Sequence, residues 1–203
     1  MPQQTFQVVD GLDDAFDFAL PQDSPGFRRI EATADRISVR QTGFDPDIGL
    51  VRFRNLPIPQ GSTINFARLE CYNYPSGGTT DLGPFLFTAY GHDTDDAPPV
   101  DPAQFSTFPS VRTRTTAIAP GINDDPAPGD YHVYGDLAPC LQEVVNRPGW
   151  ASGNAFAAII VQTTQPCSTD IYEFASFEFG QPARLIVDWD PPDEGQFVST
   201  HVD

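Results

Sequence analysis

The stretch from Tyr131 to Val161, YHVYGDLAPCLQEVVNRPGWASGNAFAAIIV, decides the fold. It holds a short amphipathic helix, then a corner rich in Pro, Gly and Asn, then a continuous apolar run. Leu137, Leu141, Val144 and Val145 recur at i, i+4, i+7 and i+8, the stripe of a helix over about residues 137–146. Asp136 stands where an N-cap belongs, and Pro139 falls in the first turn, where its missing N–H costs little. Pro148 keeps Arg147 out of the α region, so the helix should stop near Asn146. Ala155 to Val161 is too short for another helix and reads as a strand buried on both faces. One helix feeding one buried strand predicts a plug that closes a β-sandwich.

Outward from this stretch the chain alternates. RISVRQ (36–41), GLVRF (49–53), NFARLECYNY (65–74), FLFTAY (85–90), residues 107–119, IYEFASFEF (171–179) and ARLIVDW (183–189) each read as strands. In NFARLECYNY, Ala67, Leu69 and Cys71 should face inward, leaving Phe66 and Tyr72 over an outer groove or interface. Residues 5–20 are a mixed strand and turn pattern with Phe16 and Phe18 on one face. The total is about nine or ten strands and one helix, an all-β, jelly-roll-like antiparallel sandwich. Its expected parts are an N-terminal arm or first strand (1–20), the sandwich (21–190) and an acidic tail (191–203).

Composition fits a folded, loop-rich β protein. The 203 residues suffice for one sandwich domain, and 21 prolines are about twice the usual share. Net charge is −17 and every basic residue is Arg. Such a surface repels phosphate backbones, so nucleic acid is not expected as a partner. Residues 1–16 lack the basic and apolar regions of a secretory leader, and no run approaches eighteen apolar residues. The expectation is therefore synthesis in the cytoplasm and no membrane partner. Cys71, Cys140 and Cys167 form no C-x-x-C pair, which argues against zinc, and one disulfide stays open.

No pattern supports catalysis. With 28 carboxylates, close pairs arise by chance, and in Gly149–Gly153 (GWASG) Ser152 sits one place too late for a nucleophile elbow. His92, His132 and His201 are dispersed. Asp93, Asp95 and Asp96, beside His92, suit either a Ca²⁺ site of loop carboxylates or an Asx-rich turn before Pro98 and Pro99. The EF-hand spacing and its closing Glu are missing, and no other cofactor is expected. Arg112 and Arg114 fall on one strand face, to pair with acidic neighbours across the sheet or to grip an anion. Trp150 is a corner packing residue or an anchor for a partner or sugar ring, with Tyr72 and Tyr74 as further candidate glycan contacts.

Five segments, in order, resemble a β-sandwich module of bacteriophage virion proteins and bacterial surface proteins. They are VRFRNLPIPQGSTINFARLE (51–70), YGHDTDDAP (90–98), RTRTTA (112–117), DLAPCLQEVVNRPGWASGNAFAAII (136–160) and PARLIVDW (182–189). The resemblance implies a jelly-roll-like, carbohydrate-binding-module-like fold used as a structural or adhesive unit. The first fifty residues, Glu173 to Phe179 and the acidic tail fall outside it, and no binding residue carries over. The expectation is a non-catalytic virion protein on the outer surface of the particle, a capsid decoration or cement protein or a head or tail spike subunit. Its partners would be the major capsid protein or other virion proteins, with a homo-oligomer, a trimer by preference, matching lattice symmetry. The alternative is a carbohydrate-binding module for host-surface glycans.

Overall fold

The computed structural model describes residues 3–18, 29–40, 47–74, 85–123, 129–162 and 171–192. In chain order the strands are β1 (Gln4–Gln7), β2 (Asp14–Phe18), β3 (Arg29–Glu31), β4 (Arg36–Arg40), β5 (Ile48–Phe53), β6 (Thr63–Tyr72), β7 (Phe85–His92), β8 (Arg114–Asn123), β9 (Tyr131–Asp136), β10 (Phe156–Gln162), β11 (Ile171–Ala175) and β12 (Arg184–Asp190). The helix α1 is Ala138–Val145. A four-stranded sheet runs β1-β12-β6-β9 and a six-stranded sheet runs β3-β2-β5-β10-β7-β8. A ribbon of β11 and β4 stands apart from both. All pairings are antiparallel. The protein is an all-β sandwich with one α-helix among the described residues.

The continuous apolar run forms β10, held between β5 and β7. Its two faces meet different cores. Phe156, Ala158 and Ile160 join the main core between the sheets, with Phe53, Leu69, Tyr134, Leu141 and Val187. Ala155, Ala157 and Ile159 face the other way, into a smaller core with Leu50, Ala97 and Val100. Ala97 and Val100 belong to the acidic, Pro-rich segment after β7, so that segment is a lid on the outer face of the six-stranded sheet. The lid explains why β10 reads as apolar without alternation. The β4–β11 ribbon adds Ile37, Val39 and Phe174 to the main core.

The helix is the expected plug, packed on β6 in one sheet and on β7 and β8 in the other. Leu137, Leu141, Val144 and Val145 are all buried. Two polar residues tie it to both sheets. Gln142 Oε1 accepts Ile64 N–H at 2.8 Å, and its Nε2 donates to Ser62 O at 2.8 Å. Glu143 accepts the N–H groups of Thr116 and Ala117 in β8 at 2.8 and 2.7 Å. Asp136 acts one residue before the cap, which is Leu137; its Oδ1 accepts the N–H groups of Ala138 (2.9 Å) and Ala67 (3.0 Å). One carboxylate thus starts the helix and fixes it to β6.

Several expectations need correction. Twelve strands occur among the described residues. Tyr131–Asp136, given no element of its own in the sequence analysis, is β9, which pairs with β6. The strand expected over residues 107–119 begins only at Arg114, after two 3-10 turns, Phe105–Thr107 and Pro109–Val111. β11 ends at Ala175, and residues 177–180 form a turn that leaves Phe177 and Phe179 exposed. Residues 4–18 do carry the expected strand and turn pattern, and both strands enter a sheet, β1 on β12 and β2 on β5. The tail beyond Pro192 lies outside the described residues, as do Cys167 and His201.

Candidate functional site

The acidic segment after β7 is the first place to look for chemistry, and its carboxylates are already engaged. Asp93 and Asp95 both grip Arg147, Asp95 Oδ1 lying 2.7 Å from Arg147 Nε. Asp96 turns to the other side, where its Oδ1 accepts Ala155 N–H at 2.8 Å. Asp93 and Asp95 thus meet on one guanidinium, while Asp96 serves a backbone N–H of the corner. They latch the lid to the Arg147–Asn154 corner, and no group of three suited to a metal occurs among the described residues. A Cβ on Gly149 would fall 2.1 Å from Asp95 Oδ2. Gly149→Ala should therefore turn Asp95 away from Arg147 while Asp93 keeps hold. The Arg147 and Asp95 side chains are 32% and 42% exposed, so urea unfolding should show a loss of about 1 kcal/mol or less. A loss of about 3 kcal/mol or more would refute this account of the latch.

Among the described residues Arg112 pairs with no acid across a strand face. It lies buried at 5% exposure and donates to Thr107 O (2.8 Å), Pro98 O (2.9 Å) and Pro99 O (3.2 Å). Arg114 instead covers the Tyr90 ring, 5.0 Å from its centroid. Arg112 Nη1 is 3.3 Å from His92 Nδ1. Burial, with Arg112 and Arg147 nearby, pulls the His92 pKa down to about 4, so this imidazole is neutral at pH 7.

A second cluster gathers where the turn after β1 meets the turn after β11. Asp13, with no exposed surface, sits between Arg52 Nη1 (2.6 Å) and Arg54 Nε (2.5 Å). Arg52 Nε donates to Ala97 O at 2.5 Å, so the cluster also pins the lid. Asp14 is 1% exposed and accepts Phe177 N–H through Oδ2 at 2.7 Å. Burial pushes its carboxyl up to about 8, against the pull of that N–H and with the help of Glu178, Asp13 and Asp10. Asp14 is thus a neutral acid at pH 7. It was not singled out in the sequence, where nothing distinguishes it from the other carboxylates.

The three expected glycan contacts part company. Trp150 is 3% exposed, packs in the main core and donates Nε1–H to Ile58 O at 2.9 Å, leaving no ring face for a sugar. Tyr72 and Tyr74 do come together, with Tyr131 and Phe179. Tyr72 meets Tyr131 at 5.2 Å and 71°, and Phe179 at 6.1 Å and 34°; Tyr74 meets Phe179 edge-on at 4.9 Å. The rings are not coplanar. Arg184 lies 3.5 Å over the Tyr131 ring and Arg36 lies 5.7 Å over Tyr74.

Beyond Arg36 opens a cavity of about 380 Å³, bordered by β2, β3 and the β4–β11 ribbon. Phe16 and Phe18, the aromatic face expected from the sequence, stack at 5.6 Å and 30° to form one wall. Glu31, Asp47 and Glu173 supply three carboxylates, and Arg36 the one guanidinium, its Nε 2.7 Å from Glu173 Oε1. This meeting is invisible to local spacing, because its members come from four separate segments. No protein-family model matches this chain, and no curated protein matches it.

Proposed function

We propose that the chain is a non-catalytic structural module of a bacteriophage particle, a capsid decoration or cement protein or a head or tail spike subunit. Strand order carries this reading. If β2, β3 and the β4–β11 ribbon are set aside, eight strands remain. Their order is first-eighth-third-sixth in one sheet and second-seventh-fourth-fifth in the other. This order supports a jelly-roll reading, an architecture shared by viral capsid proteins and lectins. The use of charge points the same way, since Arg52, Arg112 and Arg147 staple the lid to the sandwich. With residues 4–18 built into the sheets, contacts to the particle fall to the outer faces and to the acidic loops.

Purified particles should contain the chain at a copy number fixed by the lattice, measured by quantitative mass spectrometry. The isolated protein should sediment as a trimer, since cyclic closure matches three-fold lattice positions. Absence from the particle would end this reading.

The glycan alternative keeps one specific observation in its favour, the exposed Phe179 ring beside Tyr72. Binding on a glycan array that Phe179→Ala abolishes would move the conclusion there. Trp150→Ala is unsuited to this test, because it would remove a core side chain.

A further inference from the structure

We propose that the lid after β7 is an acid-sensitive flap, released from the outer face of the six-stranded sheet when His92 takes up a second proton. The inference does not depend on the assembly reading. His92 is the last residue of β7 and stands at the neck of the lid. That neck is closed by Asp93 N–H, which donates to Thr113 O at 3.0 Å, and by Thr113 Oγ1, which donates to Asp93 O at 3.2 Å. The loop beyond it is therefore built to swing as one piece. Little apolar surface holds it down: residues 93–113 add only Ala97 and Val100 to the smaller core and nothing to the main one. Arginines do most of the holding. Arg52 reaches Ala97 O, Arg147 grips Asp93 and Asp95, and Arg112 donates to Thr107 O, Pro98 O and Pro99 O.

Arg112 is the clamp that a proton undoes. Its Nη1 faces His92 Nδ1 at 3.3 Å, with His92 9% and Arg112 5% exposed. A guanidinium has only donors, so Nδ1 must accept, and the single imidazole proton sits on Nε2. A second proton goes to Nδ1. It removes the acceptor and sets two cations side by side where water screens them poorly. The other charges around His92 do not offset it. Arg114 stands opposite it in β8, Arg147 lies near it in the corner, and Asp93 and Asp95 are both engaged by Arg147. Burial, with Arg112 and Arg147, keeps the closed-lid imidazole neutral down to about pH 4, against an ordinary value of 6.5. The open lid binds this proton more readily, so closure holds above pH 6.5 and weakens as pH falls from 6.5 toward 4. Opening uncovers Leu50, Ala157 and Ile159, an apolar strip on β5 and β10.

Hydrogen exchange on the full chain tests this at single amides. Ala97 N–H is bonded to Ala155 O and Val100 N–H to Leu12 O, so both report the closed lid. Their protection factors, corrected for the intrinsic pH dependence of exchange, should fall about a hundredfold between pH 7 and pH 4. The amides of β10 should keep theirs. His92→Asn leaves an acceptor at the Nδ1 position that takes no proton, so its lid amides should hold their protection over the same range. A second measurement needs no variant: the nitrogen shifts of His92 at pH 7 should show Nε2 protonated and Nδ1 bare. Lid protection that stays flat to pH 4, lid and β10 amides lost together, or an Nδ1–H imidazole at pH 7 would each overturn the proposal. An equal loss in His92→Asn would overturn it too, and assign the effect to Asp93 and Asp95.

Discussion

Replacing Asp14 by asparagine is expected to stabilise the fold, and by more as pH rises. The Asp14 carboxyl holds its proton to about pH 8 in the folded chain, whereas its ordinary value is 3.8. Between those values the unfolded chain has released a proton that the folded chain retains. Folding stability from this group therefore falls as pH rises, by about 1.4 kcal/mol per pH unit. Asparagine cannot titrate, and its side-chain oxygen can still accept Phe177 N–H. The advantage of Asp14→Asn should accordingly widen from pH 4 to pH 8, reaching on the order of several kcal/mol.

His92 sharpens the test, because its shift has the opposite sense. Its folded pKa, about 4, lies below the ordinary 6.5, so between those values the unfolded chain binds the extra proton. This group adds stability as pH rises through that window. In the parent protein the two slopes oppose each other from about pH 4 to 6.5, and only the Asp14 decline remains from 6.5 to 8. In Asp14→Asn the decline is gone and the His92 rise stands alone. Urea midpoints taken across this range should show a parent profile that drops above pH 6.5 and a variant profile that climbs and then levels. Parallel profiles would mean that Asp14 is ionised in the folded state.

What the sequence disclosed followed from how each side chain is satisfied. The helix and β10 were legible because burial there has a period: the stripe of α1 faces one core, and the unbroken run of β10 faces two. Ala67, Leu69 and Cys71 were legible for the same reason, being fully buried on alternate positions of β6. β9 was not, since it lies at a sheet edge where Val133 is 49% exposed and only Tyr134 is buried. Arg112 misled because local spacing suggested a strand face, while its real partners are carbonyls from a lid folded back over the sheet. For Asp93 and Asp95 a Ca²⁺ site and an Asx-rich turn both stayed open, because the cation they hold, Arg147, lies more than fifty residues downstream. β11 ended early for a comparable reason: its alternation continues to Phe179, but the N–H of Phe177 is captured by Asp14. For Arg112, Asp93, Asp95 and β11 the deciding contact is polar, and hydrophobic periodicity carries no record of it.

The heaviest of those long-range polar contacts is the Asp13 pair, and Asp13→Ala should be among the most damaging single changes in the protein. Asp13 has no exposed surface, and Arg52 is 9% exposed, so truncation leaves a guanidinium buried without its carboxylate. Breaking a buried pair from one side costs about 3–5 kcal/mol. Arg54, whose side chain is 32% exposed, can turn to water, so Arg54→Ala should cost about 1 kcal/mol or less. The decisive variant is the double change Asp13→Ala with Arg52→Met. It removes the stranded charge and places an unbranched apolar chain beside Ala97, near Ile48 and Leu50 of the smaller core. It should therefore be more stable than Asp13→Ala alone, even though it carries one more substitution and gives up the bond to Ala97 O. Urea unfolding of the parent, both single variants and the double variant would read the coupling directly. If the two losses simply add, the buried charge is not what makes Asp13 essential, and the lid must be held chiefly by Arg112 and Arg147.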